Sequence, residues 1–368
     1  MFFTLSTTPD NRLPIHNQFG DWVFSCDDGW QCSENTCFKG YNYPNLSHGN
    51  FLKFQFAGND VYLSHDLHRS CPIWWDKENL ILTNLLGSGR QIWADETLKI
   101  ENFQLLSDKI DIYGNFNLSV LKMDTVIDLI IDNLVTKFEE LKKSSITPKM
   151  FITGGVDTIT LLSVAKYTKT KLDIINYEHF DYDIFTNQNI AEIKKNHWAY
   201  SQIHHWRDNT VFITGSCGDE FMFRGPQTIA LWAAWNDIDL AEILNNSSGY
   251  HVGYFKKTLE MTKRQYTERE KIKKLYPSKY DLIHHILDYN ANDHQHWHLG
   301  NTITWTPFKD LELTKLILSL ETDDLMKQII DATINKKIIE QLWDPGLELL
   351  STTKNHNNRQ NLHKLALL

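Results

Sequence analysis

Two glycine turns hold the residues best suited to chemistry. The first reads Phe151-Ile152-Thr153-Gly154-Gly155-Val156-Asp157-Thr158 and runs into the apolar helical stretch ITLLSVAK. Glycine lets a backbone come close to an anion, and the first turn of a helix offers unpaired N–H groups and the positive end of a dipole. A nucleotide phosphate suits such a turn. The hydroxyls of Thr153 and Thr158 add donors, whereas Asp157 beside a polyphosphate makes sense mainly with a divalent cation between them. No G-K-[ST] follows, so the turn is not a Walker A loop. A plainer alternative stays open: a Gly-Gly strand-to-helix turn in which Asp157 complements the helix dipole.

A second turn has the same character. Thr210-Val211-Phe212-Ile213-Thr214-Gly215-Ser216-Cys217-Gly218-Asp219-Glu220 again carries an apolar run into glycines with an acidic end. In an open parallel sheet, ligands bind beyond the carboxyl ends of the strands, so two such turns can face one site. Asp157 and Asp219 would then hold one Mg²⁺ between them.

The elements that must position these turns change character along the chain. Up to about Asn115, short runs such as WVFSC (22–26), FLKFQFAG (51–58), DVYLSHD (60–66) and NLILTN (79–84) alternate like strands. Breaks at Asp27-Asp28-Gly29, Tyr43-Pro44-Asn45 and Gly58-Asn59-Asp60 carry turn chemistry, so this half is expected to be mostly antiparallel β. From 124 to 141, Val126, Ile127, Ile130, Ile131, Leu134, Val135, Phe138 and Leu141 share one helical face, with Asp124 at the N-cap. A boundary near 115–123 follows, giving domains 1–118 and 119–368.

The second domain alternates strand-like runs at 150–155, 172–178 and 210–215 with helices at 158–167 and 187–200. That order predicts an α/β fold with a doubly wound parallel sheet. Beyond 226 nearly everything reads as helix, including TIALWAAW (228–235) and LTKLILSL (313–320). No internal repeat or low-complexity tract is present.

Composition bounds the function class. The chain has 368 residues, 42% hydrophobic and 23% charged, and a net charge of −9 from 37 basic and 46 acidic residues. These are ordinary globular values, and the acidic balance disfavours a nucleic-acid partner. No apolar run is long enough for a membrane span and no leader is recognisable, so a cytoplasmic location is expected. Cys26, Cys32, Cys37, Cys71 and Cys217 lack a C-x-x-C pair and are expected to be reduced thiols. His204-His205, His284-His285 and His294-x-His296-x-His298 lie in helical surroundings, where such spacings do not converge on a metal. The twelve tryptophans are expected to serve packing.

At this point the residues resemble the asparagine synthetase-like enzymes, a branch of the ATP pyrophosphatases whose first loop reads S-G-G-x-D-S. Thr153 to Thr158 match it with Thr at both Ser positions. Gly215, Asp219 and Glu220 match the second loop, S-G-x-G-x-D-E. Trp305-Thr306-Pro307-Phe308-Lys309-Asp310 is similar to the family's R-x-P-F-L-D segment. In the first half, Val61 to Trp75 with Leu80-Ile81-Leu82-Thr83-Asn84 resembles the R-D-x-x-G-x-x-P-L-Y-Y … F-A-S-E stretch of an N-terminal glutaminase domain. The likeness covers most of the chain and is most specific in the two acidic loops.

The departures are chemical. An N-terminal-nucleophile glutaminase needs Cys directly after the initiator Met, because its free α-amine is the base for the thiol. This chain begins Met1-Phe2-Phe3. The first domain is therefore expected to be a degenerate glutaminase-like sandwich without glutaminase chemistry, as in lactam-forming and lasso-peptide-cyclising relatives. Ser216 stands where family members often have a Glu or Tyr that assists amine attack, and serine is no general base unaided near neutral pH. Thr304 or Trp305 replaces the Arg of R-x-P-F-L-D, and the chain between the two loops is short for the family.

What the resemblance implies is an ATP-dependent, AMP-forming amide-bond ligase. A carboxylate attacks the α-phosphate, and an amine then attacks the acyl-adenylate. Thr153, Gly154, Gly155, Val156, Asp157, Thr158 and Gly215 would cradle ATP, with adenine near Asn176 and Tyr177. Asp157 and Asp219 would hold Mg²⁺. Ser216, Glu220 and Lys354 would be the catalytic candidates, with Arg359 a weaker alternative for the lysine. The partners would be a small-molecule or peptide carboxylate and an amine, with no membrane; a homo-oligomer is left open. Two other readings are a non-catalytic nucleotide-binding descendant and a tRNA-modifying ATP pyrophosphatase. The second would need a basic face, for which KRQYTEREKIKK (263–274) is the available stretch.

Overall fold

The computed structural model describes residues 3–27, 29–41, 50–65, 73–84, 89–92, 96, 98–108, 119–144, 146–151, 155–175, 210–213, 215, 218–224, 226–237, 268–278, 281–282 and 303–343. The fold mixes helices with antiparallel sheets in the first half.

The first sheet contains β1 (Phe3–Ser6), β2 (Ile15–Phe19), β3 (Trp22–Cys26), β8 (Ile73–Asp76), β9 (Ile81–Thr83) and β10 (Arg90–Ile92), in the order β10-β8-β9-β1-β3-β2. The second contains β4 (Gln31–Cys32), β5 (Thr36–Tyr41), β6 (Asn50–Ala57), β7 (Asp60–His65), β11 (Leu98–Glu101) and β12 (Gln104–Leu106), in the order β12-β11-β7-β6-β5-β4. All pairings in both are antiparallel. β6 alternates as the sequence predicts, with Leu52, Phe54 and Phe56 buried and Lys53 and Gln55 exposed. β3 is buried along its whole length.

Aromatic pairs join the sheets. Phe54 meets Phe3 and Phe24 at ring separations of 4.8 and 5.1 Å, and Phe56 stacks on Phe19 at 3.9 Å. The hairpin tips are tied as well. Asn59 accepts from Asp21 N (3.1 Å), donates to the Asp21 carboxylate (2.6 Å) and offers its carbonyl to Trp22 Nε1 (2.8 Å). Gly20 makes that approach possible, because at φ +59° a Cβ there would sit 2.7 Å from Asn59 Oδ1.

A second core begins at Met123 and shares no residue with the first. Helix α1 (Met123–Lys143) buries Val126, Ile127, Ile130, Leu134, Phe138 and Leu141, the stripe expected from the sequence. Its cap differs from expectation. Lys122 is the N-cap and makes no side-chain cap bond, while Asp124 lies inside the first turn and pairs with Lys337 at 2.9 Å.

The remaining sheet holds β13 (Thr147–Phe151), β14 (Asp173–Ile175), β15 (Thr210–Ile213) and β16 (Ile303–Trp305), ordered β14-β13-β15-β16 with parallel registers. β16 corrects the expectation of almost unbroken helix beyond 226. Its three residues fall between the longer helical runs, and an edge place beside β15 gives them a ladder that periodicity does not reveal.

Helix α2 (Val156–Thr168) is buried nearly all round, including Thr160, Ser163 and Thr168. Each of those hydroxyls donates to the carbonyl four residues earlier, at 2.8–2.9 Å, which removes the cost of burying it. The other described helices are α3 (Gly218–Phe221), α4 (Pro226–Trp235), α5 (Arg269–Leu275), α6 (Leu311–Leu318), α7 (Thr322–Asp331) and α8 (Thr333–Leu342). α8 lies against α1 and α2, and α6 against α1. The helix expected at 187–200 lies outside the described residues. Among the described residues, no helix is long and apolar enough to cross a membrane.

Candidate functional site

Gly155 and Gly215 follow, in sequence, the carboxyl ends of the adjacent parallel strands β13 and β15. Gly155 is the N-cap of α2, in extended conformation, and its carbonyl accepts from Ile159 N at 3.0 Å. Asp157 and Thr158 therefore sit in the first turn of a thirteen-residue helix, where its dipole is positive. The second turn closes onto them. Gly218 N donates to Gly215 O at 3.1 Å, and α3 starts there.

The glycines set the spacing between the turns. A Cβ on Gly215 would lie 3.1 Å from both the amide nitrogen and the hydroxyl of Thr158. A Cβ on Gly218 would lie 2.5 Å from Asp157 Cγ, a distance no real contact tolerates. A side chain at Gly218 would have to displace the Asp157 carboxylate or shift the second turn.

Asp157 is held by residues that sequence reading did not single out. Arg224 Nη2 donates to both of its carboxylate oxygens at 2.6 Å, and the Arg224 side chain is only 2% exposed. Asn335 on α8 donates to Asp157 Oδ1 at 3.2 Å and approaches the Thr160 hydroxyl at 3.3 Å. Gln328 on α7 continues the chain, donating to Asn335 Oδ1 (3.1 Å) and Met222 O (2.9 Å) while accepting from Ile334 N (2.8 Å). Thr160, Gln328 and Asn335 are fully buried. Such a satisfied buried network fixes the carboxylate's direction.

Signals for these residues were present. Arg224 ends the apolar run Phe221-Met222-Phe223, all buried, so its charge needs a partner. Asn335 lies on the face of α8 shared by Ile334, Ile338 and Ile339, where a polar residue implies a buried hydrogen bond.

The third expected segment does a structural task. Asp310 is the N-cap of α6, accepting from Glu312 N at 2.8 Å, and also accepts from Asn133 Nδ2 at 3.1 Å and from Lys137 Nζ. Lys137 further donates to Pro307 O at 3.0 Å. Burial pushes the Lys137 ammonium down in pKa, and Asp310 pulls it back up. This ties the end of β16 to α1.

Of the other expected site residues, Val156 is buried and packs in the core. Asp219 and Glu220 lie on α3, directly after Gly218. Thr153, Gly154, Asn176, Tyr177, Ser216 and Lys354 lie outside the described residues, as do Arg359, Cys71, Cys217 and the histidine pairs and triplet. Among the described residues, no group of three or more His, Cys, Asp or Glu is arranged to hold a metal ion.

The start of α2, the Thr158 hydroxyl, Gly215 and Gly218 thus come together around an Asp157 carboxylate that is already paired with Arg224. A metal on Asp157 is a harder fit. It must share the carboxylate with Arg224 or displace it. Comparison with protein-family models finds no match, and comparison with curated proteins finds no relative.

Proposed function

We propose that the chain is an ATP-dependent, AMP-forming amide-bond ligase, with a doubly wound sheet as its nucleotide platform and no glutaminase activity. The observation that carries this reading is the meeting of the two glycine turns, Gly215 against Thr158 and Gly218 against Asp157, beyond neighbouring parallel strands.

In the reaction, a small-molecule or peptide carboxylate attacks the α-phosphate of ATP, releasing pyrophosphate and leaving an acyl-adenylate. An amine then attacks the acyl carbon and AMP departs. Gly155, the first-turn amides of α2 and the Thr158 hydroxyl bind and orient the phosphates. Arg224, paired with Asp157, fixes the direction of that carboxylate beside the first turn of α2. Asp157 and Asp219 are the residues that would hold Mg²⁺, whose contribution would be to neutralise charge building on the pyrophosphate. Ser216, Glu220 and Lys354 are the candidates for assisting the amine step.

Calorimetric titration of ATP, with and without Mg²⁺, into wild type and Asp157→Ala tests this directly. Micromolar, Mg²⁺-dependent binding that the substitution abolishes, followed by carboxylate-dependent pyrophosphate exchange, is the expected result. A folded wild type that binds no ATP would overturn the ligase reading.

The Arg224–Asp157 contact also favours a second reading, a nucleotide-binding descendant that no longer catalyses. It predicts ATP binding indifferent to Mg²⁺ and no pyrophosphate exchange with any carboxylate.

A further inference from the structure

Three cysteines far from the glycine turns in sequence meet between the two antiparallel sheets. Cys26 ends β3 in the first sheet; Cys32 and Cys37 lie on β4 and β5 of the second. Cys26 and Cys37 are fully buried, whereas Cys32 is partly exposed and packs against the same core. All three are free thiols, and Cys32 packs against the cluster that contains the other two.

The strand register sharpens the geometry. Cys32 stands directly opposite Cys37. The next pair toward the hairpin, Ser33 and Thr36, is joined by Ser33 N→Thr36 O at 2.8 Å, so Cys32 and Cys37 fall on the alternate, non-hydrogen-bonded position. There the Cα atoms of an antiparallel pair are about 4.5 Å apart, within the roughly 4.4–6.8 Å that a disulfide spans.

We infer that this trio is a thiol-oxidation site, in which the accessible Cys32 reduces a hydroperoxide and Cys37 resolves the product as a cross-strand disulfide. In the first step the Cys32 thiolate attacks the peroxide. The O–O bond breaks, Cys32 becomes a sulfenic acid, and the peroxide leaves as an alcohol, or as water from hydrogen peroxide, after taking a proton. In the second step the Cys37 sulfur attacks the Cys32 sulfur, the S–O bond breaks, and water departs with the Cys37 proton. Two thiols have then given two electrons to one peroxide. Cys26 takes no part in the exchange and remains reduced.

The protonation pattern agrees with Cys32 as the thiol that meets the peroxide. Hydrogen bonds from Cys26 and Cys37 hold Cys32 down to about 4 against the opposing effect of burial, while hydrogen bonding to Cys32 and burial push Cys26 and Cys37 up. The attacking thiol is the partly exposed one.

The test is a disulfide map of the full chain after one equivalent of hydrogen peroxide and alkylation of the remaining thiols. Cys26, Cys32 and Cys37 fall on one tryptic fragment, between Arg12 and Lys39, so further cleavage after Glu34 and at Asp27-Asp28 is needed to separate them. The expected product is a Cys32–Cys37 crosslink that dithiothreitol reverses, with Cys26 alkylated. Cys32→Ser slows peroxide consumption by about tenfold or more, and Cys37→Ser leaves a Cys32 sulfenic acid that dimedone traps. Should Cys37→Ser fail to fold, the wild-type map decides alone. Oxidation of Cys71 or Cys217 ahead of this pair, or a native chain whose Cys32 is still alkylated in full, overturns the inference.

Discussion

Arg224 Nη2 stands 2.6 Å from both carboxylate oxygens of Asp157, so the charge expected to meet a metal already meets a guanidinium. Removing that carboxylate from a side chain only 2% exposed costs about 3–5 kcal/mol. Urea unfolding of Asp157→Ala should therefore show a lower midpoint with an unchanged slope. The double variant with Arg224→Met should lose less than the two single losses together, by about 0.5–3 kcal/mol. An additive result would mean that the pair is not coupled.

Gly218→Ala reaches the same carboxylate without touching charge. A methyl 2.5 Å from Asp157 Cγ must push the short side chain off Arg224 or open the second turn. The expected outcome is a stability loss of about 1–3 kcal/mol and at least about tenfold weaker ATP binding. Unchanged affinity in a folded variant would show that the contact between the turns does not govern the nucleotide.

Asp10 gives a pH test far from the site. The hydrogen bond and charge of Arg12, with the Thr4 hydroxyl, hold its carboxyl down from 3.8 to about 2. The folded pKa is below the unfolded one, so the stabilisation is present in full above about pH 4 and is lost as pH falls through about 2. Arg12 is 65% exposed, so solvent screening keeps the contribution to about 1 kcal/mol or less. Asp10→Asn should lose that contribution at neutral pH and match wild type below about pH 2, so that the acid limb between them is flatter.

Cys32 should alkylate at a nearly constant rate from pH 8 down to 6. An ordinary thiol such as glutathione slows about tenfold per unit over that range. The groups acting on Cys32 are the thiols of Cys26 on β3 and Cys37 on β5, with the buried Asp27–Lys39 pair, 2.9 Å apart, acting on Cys26 in turn. Iodoacetamide kinetics read by peptide mass check this, and a rate that falls in step with glutathione would remove the low-pH thiolate.

Much of this arrangement was legible in the sequence where one face of an element is buried. The alternation of β6 and the apolar stripe of α1 were readable because water lies on the other side of each. α2 was legible as a helix only by its length and its glycine start, since burial nearly all round leaves it no periodic face. β16 was lost because three residues carry no period. The Asp124 cap failed because a carboxylate one residue inside a helix helps the dipole as well as one at its start, and composition does not distinguish the two. The two turns were found from their glycines, but the company they keep was not: Arg224 follows Asp157 by 67 residues and Asn335 by 178, and no local pattern joins them.

The bond between Lys137 and Asp310 spans 173 residues and has a consequence for how the chain is made. The antiparallel sheets draw every strand from residues 3–106 and can close early on the ribosome. Helix α1 emerges soon after, carrying an ammonium that only a segment about 170 residues downstream will neutralise. At roughly 5–20 residues per second, that is a wait of about 10–35 s. Through that interval the apolar stripe of α1 has neither its counter-charge nor α6 and α8 to cover it. Helix α2 can cover part of that stripe early, but the second core is completed late, and the nascent chain is most in need of a chaperone between the synthesis of Lys137 and that of Asp310.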